Sequence, residues 1–186
     1  MNKIILASAS PRRKDLLKLS GIDFIVDASS IDEVLDLSLS LEERLMKLAA
    51  DKAYPIHEKY PDDIVLGADT IVYYNQQIIG KAKDVEDAKR ILTMLSSDKH
   101  TVYTAVALYN KDELITFIDK TDVYFKDITS MIDDYLSLNE WQGKAGAYGI
   151  QDSAKAFVDY IDGDLDNVIG LPVYRVKEVL KNIGKI

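Results

Sequence analysis

Apolar positions along the chain fall into short strand-length runs and helical stripes that alternate with one another. Lys3 to Ala7 reads as a short buried strand, and Ser10-Pro11 follows with a helix-start signature, Ser at the N-cap and Pro in the first helical position. Leu16, Leu17 and Leu19 are expected to face the core from this helix, with Gly21 ending it and Phe24 to Val26 forming the next strand. Ser40 and Glu43 have the spacing of a capping box. Leu41, Leu45, Leu48 and Ala49 then mark one face of a helix that carries Lys52 and is expected to end near Pro61. Ile64-Val65-Leu66 opens a strand that continues through Thr70-Ile71-Val72, turns at Asn75-Gln76 and pairs back at Ile78-Ile79. Asp84 is placed to cap a helix with the stripe Val85, Ala88, Ile91, Leu92 and Leu95.

Two long β-rich segments follow, His100 to Tyr109 and Leu114 to Phe125, around a hairpin signal at Asn110-Lys111-Asp112. Thr129 is expected to cap a short helix ending near Asn139. Gly143, Gly146 and Gly149 mark an irregular stretch before a strand-like run from Ala156 to Ile161. A last helix starts near Pro172 and buries Val173, Val176, Val179, Leu180 and Ile183. Strands alternate with helices early and hairpins dominate the middle, which predicts a mixed α/β fold with an extended sheet and flanking helices. Neither a repeat nor a linker interrupts it, so residues 1–186 are read as a single domain.

Composition narrows the chemistry. The net charge of −8 opposes nonspecific binding to nucleic acid or an anionic membrane, and an anionic substrate would need a local cluster of Lys and Arg or a cation. With no Cys and only His57 and His100, thiol catalysis and zinc sites built on Cys or several His are excluded, so any metal must sit on oxygen. Both histidines are read as structural or surface residues. No apolar run approaches the roughly 20 residues that span a bilayer, and a cytoplasmic location is expected.

Ser8-Ala9-Ser10-Pro11-Arg12-Arg13-Lys14 feeds a strand through small residues into a helix N-terminus, an arrangement that presents free N–H groups to phosphate. Its basic residues either grip an anion or form a solvated first turn. Asp69, in the otherwise apolar run Gly67-Ala68-Asp69-Thr70, is a metal ligand or base on one reading, and on the other an Asp paired to a nearby Lys or to backbone donors. Glu33, in an acidic loop, is a second candidate ligand or a solvated charge. Together these two carboxylates would suit Mg²⁺ or Mn²⁺. Lys52, Lys81 and Lys144 are basic residues that could reach phosphates or simply lie on the surface. The stretch from Lys144 to Gln151 is too rich in glycine for a helix interior, and the Gln151 amide offers both a donor and an acceptor to a base edge. Neither GxxxxGK[ST] nor GxGxxG occurs.

Seven blocks, in order, resemble the Maf family of nucleotide pyrophosphatases: Leu6 to Arg13, Asp32-Glu33, Lys52-Ala53, Gly67 to Val72, Gly80-Lys81, Lys144 to Gln151, and Asn167 to Pro172. The resemblance implies an elongated α/β fold with two lobes around a deep cleft, similar to the inosine-triphosphate pyrophosphatases. It also implies a cytoplasmic, metal-dependent hydrolase that cleaves a nucleoside triphosphate to the monophosphate and pyrophosphate. On that resemblance Ser8, Arg12, Arg13, Lys52 and Lys81 are expected to bind phosphate. Glu33 and Asp69 are expected to hold Mg²⁺ or Mn²⁺, with Asp69 also the proton acceptor. Arg12, Thr70 and Gln151 match positions that set base preference, and the stretch ending at Gln151 looks like the subgroup acting on dTTP and UTP, in ordinary or modified form. Departures from the family pattern include Ala82 in place of Pro, Gly143 in place of an acid and Asp152 in place of Gly. The same resemblance makes a homodimer an expectation. It also carries a rival function: a nucleotide-binding regulator of cell division or septum formation without significant turnover.

Overall fold

Ile4, Ile5 and Leu6 are all buried, as are Ile64, Val65 and Leu66; unbroken burial of this kind marks strands covered on both faces. The two runs pair in parallel, with Ile5 opposite Val65, and a two-residue strand adds on the other side with Ile5 opposite Ile25. The computed structural model describes residues 3–28, 30–31 and 36–186. Its elements in order are β1 (Ile4–Leu6), α1 (Pro11–Leu19), β2 (Ile25–Val26), α2 (Leu41–Lys59), β3 (Ile64–Tyr74), β4 (Gln77–Ile79) and α3 (Val85–Leu95). After these come β5 (Lys99–Asn110), β6 (Glu113–Phe125), α4 (Ile132–Ser137), β7 (Val158–Asp162), α5 (Leu165–Ile169) and α6 (Val173–Asn182). Among the described residues seven strands form one sheet in the order β2-β1-β3-β5-β6-β7, with β4 paired to β3. This is the mixed α/β class expected from the sequence.

The chain divides into two compact units. The first comprises Met1–Asp69, Thr104–Asp119 and Gly170–Ile186, the second Thr70–Tyr103 and Lys120–Ile169. In the first unit α2 packs on the sheet through Ala53 and Ile56, which form a core cluster with Ile5, Ala7 and Val65. Its start is the expected capping box: Ser40 Oγ accepts from Glu43 N at 3.3 Å, and the Glu43 carboxylate accepts from Ser40 N at 2.9 Å. The helix absorbs Pro55 and stops at Lys59, where Lys59 Nζ and Tyr60 Oη both donate to Asp27, at 2.6 and 2.9 Å. Gly67 on β3 lets α2 come close. A β-carbon there would lie 2.7 Å from Ala53 Cβ and 2.8 Å from the Ala49 carbonyl oxygen.

In the second unit α3 buries Ala88, Ile91, Leu92 and Leu95 in a core shared with Val102, Val123, Phe125, Tyr148 and Phe157. Asp84 caps this helix by accepting from Asp87 N at 2.8 Å. Asn75 and Gln76, at φ of 47° and 61°, both adopt the left-handed conformation that a two-residue hairpin turn requires. Four local expectations are corrected. Leu19 is 84% exposed rather than in the core. Val85, assigned to the buried stripe of α3, is exposed. Thr129 begins a 3₁₀ turn, Thr129–Met131, with no side-chain cap, ahead of α4. The run from Ala156 is a 3₁₀ helix, Ser153–Phe157, before it becomes β7. No helix among the described residues is long and apolar enough to cross a membrane.

Candidate functional site

Parallel pairing of β1 with β3, Leu6 opposite Leu66, puts Ser8, just past the end of β1, and Asp69, further along β3, at the same end of neighbouring strands in the first unit. Ser8 is nearly buried. Its Oγ accepts from Arg13 Nη1 at 3.1 Å and from Ser10 N at 3.3 Å. Arg13 Nε donates in turn to the Gly170 carbonyl at 2.8 Å, so the guanidinium is held from two sides. Ser10 occupies the N-cap position of α1, but its side chain makes no capping bond, and the first turn contains no acid. The pKa of Arg13 is lowered, chiefly by burial and further by Arg12, while the Asp69 carboxylate pulls it upward. An arginine stays charged through such a shift, so Asp69 and Arg12 both act electrostatically on a fixed cation.

Lys52 Nζ donates to Asp69 Oδ1, and both side chains are largely sheltered, 21% and 12% exposed. The contact follows from the packing of α2 on β3. Gly67 and Asp69 lie on one face of the strand, Ala49, Lys52 and Ala53 lie on one face of the helix, and the missing β-carbon at Gly67 lets these faces meet. Of the two readings open for Asp69, pairing to a nearby lysine is therefore observed. It leaves the chemical reading intact, since a lysine in contact with one carboxylate oxygen is also a cation beside a base. The structure thus brings together Ser8, Arg12, Arg13, Lys52 and Asp69 in one unit.

Thr70, Lys81 and Gln151 belong to the second unit. Thr70 follows Asp69 on β3, so strand alternation points it to the opposite face. Lys81 and Gln151 are exposed. Lys81 forms an isolated antiparallel bridge with Ala145, and Gly146 N donates to the Gly80 carbonyl at 3.1 Å, so the glycine-rich stretch is tied to the Lys81 segment. Its anchor is Tyr148, whose Oη lies 2.7 Å from His100 Nε2 inside the core. Burial raises the Tyr148 pKa and lowers that of His100 to about 4. His100 is therefore structural, as expected, and His57 is also structural, stacked on the Tyr109 ring at 4.6 Å.

Glu33 lies outside the described residues. No group of three or more His, Asp or Glu that could hold a metal occurs among those described. Asp69 nevertheless suits the expected ion in kind. Mg²⁺ is commonly held by one or two carboxylates together with substrate phosphates and water, and Asp69 is a carboxylate already in contact with Lys52 through Oδ1.

The family model for Maf-like proteins matches residues 3–183. The chain belongs to the Maf-like family. A dTTP/UTP pyrophosphatase of Bacillus cytotoxicus is 45% identical to this Maf-like chain over 182 residues, which is 97% of this chain and 95% of that protein. One from Bacillus cereus is 45% identical over 185 residues, 99% and 97% of the two chains. The Ham1 protein of Staphylococcus aureus superposes with a TM-score of 0.44 at 16% identity over 68% of this chain and 73% of that one.

Two features of this Maf-like chain had no sequence signal strong enough to assign. The Gly170 carbonyl that fixes Arg13 lies 157 positions away, and a backbone acceptor leaves no mark on residue type. Asp152 forms an ion pair with Lys144. A lysine and an acid bounding a glycine-rich stretch were the only hint of it.

Proposed function

We propose that this protein is a cytoplasmic, metal-dependent nucleoside triphosphate pyrophosphatase acting on dTTP and UTP, in ordinary or modified form, and releasing the monophosphate and pyrophosphate. The observation that carries this reading is the convergence of Ser8, Arg13, Lys52 and Asp69 in a Maf-like chain. Arg12, Arg13 and Lys52 offset an otherwise acidic protein at the point where a triphosphate must bind. Arg13 presents a planar fork for phosphate oxygens, and its bonds to Ser8 and Gly170 fix that fork before substrate arrives. By the family resemblance Lys81 binds phosphate, and Arg12, Thr70 and Gln151 match positions that set base preference.

Asp69 accepts the proton of a water that attacks the α phosphorus. The new bond joins water oxygen to α phosphorus, the α–β bridging P–O bond breaks, and the electron pair leaves on pyrophosphate. Lys52 orients the Asp69 carboxylate through Oδ1. A divalent cation held by Asp69 and Glu33 would supply charge neutralisation to the phosphate oxygens. Reactions of this kind depend mainly on positioning and electrostatic stabilisation.

The test is incubation of the purified protein with a panel of nucleoside triphosphates and Mg²⁺ or Mn²⁺, with product chromatography, alongside Asp69→Asn. Monophosphate and pyrophosphate from dTTP and UTP, lost in the variant, support the reading. Binding without cleavage would favour the regulator.

A further inference from the structure

The stretch from Lys144 to Asp152 in the second unit is closed at its ends by an ion pair, Lys144 Nζ donating to Asp152 Oδ2. The lysine is the sheltered partner, 11% exposed against 37% for the aspartate. The pair passes over the α-carbon of Gly149, where a β-carbon would stand 2.6 Å from Asp152 Oδ2 and 2.8 Å from Lys144 Nζ. Backbone bonds brace both ends: Ala147 N donates to the Lys144 carbonyl at 3.1 Å, and Asp152 N to the Gly149 carbonyl at 3.0 Å. Just beyond, the Glu140 carboxylate receives Ser153 N at 2.9 Å and Ser153 Oγ at 3.0 Å. Tyr148, midway along, is locked in the core by His100.

Each end of the pair adjoins a residue placed on substrate. Ala145, next to Lys144, bridges to Lys81, and Gln151 immediately precedes Asp152. One electrostatic link therefore closes the stretch that runs from Ala145, the bridge partner of Lys81, to Gln151. We propose that Lys144 and Asp152 are positioning residues whose ion pair sets the distance from Lys81 to Gln151 and thereby the selectivity for pyrimidine triphosphates. This rests on the roles given above to Lys81 and Gln151. Loss of the pair lets Gln151 sample positions that match other bases, and small misplacements of a positioning group carry large kinetic penalties.

The experiment measures kcat and KM for dTTP, UTP, dCTP and GTP with wild type, Asp152→Asn, Lys144→Gln and Gln151→Ala, each checked for folding by circular dichroism. Asp152→Asn and Lys144→Gln are expected to raise KM for dTTP about tenfold, with a smaller change in kcat, and to narrow the preference for dTTP over dCTP. A merely structural role would lower the active fraction and leave that preference unchanged. The exchanged pair, Lys144→Asp with Asp152→Lys, is expected to recover part of the lost preference. If Gln151→Ala leaves base preference intact, the base-reading assignment fails and the proposal goes with it. If Gln151→Ala loses the preference while Asp152→Asn keeps wild-type KM and selectivity, the proposal alone is overturned. Should Asp152→Asn unfold, Asp152→Glu, which keeps the charge on a longer arm, decides between the same outcomes.

Discussion

Gly67→Ala probes the contact on which the Lys52–Asp69 pair depends. The new methyl would stand 2.7 Å from Ala53 Cβ and 2.8 Å from the Ala49 carbonyl oxygen, both well inside van der Waals contact. Ala49 and Ala53 are themselves fully buried, so neither has solvent to move into. Overpacking of this size costs about 1–3 kcal/mol, offset by about 0.4–1 kcal/mol because alanine reduces the freedom of the unfolded chain. The net expectation is a destabilisation of roughly 1–2 kcal/mol, or a Tm lower by about 2–8 °C at this chain length. Relief comes most simply by moving α2 outward, which draws Lys52 from Asp69, and a misplacement approaching 1 Å can cost on the order of 10²-fold in rate. Urea or thermal unfolding reads the first effect, and kcat at saturating substrate under fully folded conditions reads the second. Adding Ala53→Gly should restore part of both, since it removes one of the two close contacts. A Gly67→Ala variant as stable and as active as wild type would refute the argument that close packing of α2 on β3 builds the site.

Lys52→Met should lower kcat/KM by about 10²–10³-fold, because it removes both a phosphate-binding charge and the partner of Asp69; steady-state kinetics checks this. Burial holds the His100 pKa near 4 against an ordinary 6.5, outweighing the upward pull of Asp122 and Asp98. The unfolded chain therefore takes up the proton first as pH falls. This contribution is fully present above pH 6.5 and is lost on acidification toward pH 4, by roughly 3 kcal/mol in all. Urea midpoints at pH 7.5 and 5 should show the drop, and His100→Gln, which does not titrate, should flatten it. Ser40→Ala should destabilise by about 1 kcal/mol through loss of the α2 cap, measured by the same unfolding assay.

Local sequence decides local structure where one physical requirement dominates. Ser40 and Glu43 form their capping box because both groups lie within one turn, and Asn75-Gln76 turns because both residues take positive φ between the paired residues Tyr74 and Gln77. The continuous strand through Gly67 and Asp69 was also legible, for an apolar run tolerates a carboxylate where a partner waits. That the partner is Lys52 was not legible. The two residues sit 17 positions apart, and helix-on-strand packing, not spacing, decides which lysine arrives. Leu19 misled because helical periodicity assigns a face without showing how far the neighbouring layer extends. In the sequence Asp152 is only a departure from a family pattern, and its ion pair with Lys144 forms because the stretch between them folds back across Gly149.

Turnover of dTTP in ¹⁸O-enriched water, with mass spectrometry of both products for wild type and Asp69→Asn, tests the central claim most directly. Attack at the α phosphorus by a water that Asp69 deprotonates puts the label in the monophosphate, leaves pyrophosphate unlabelled, and reduces turnover by orders of magnitude in the variant. Label in pyrophosphate, release of inorganic phosphate alone, or undiminished labelling by Asp69→Asn would contradict it.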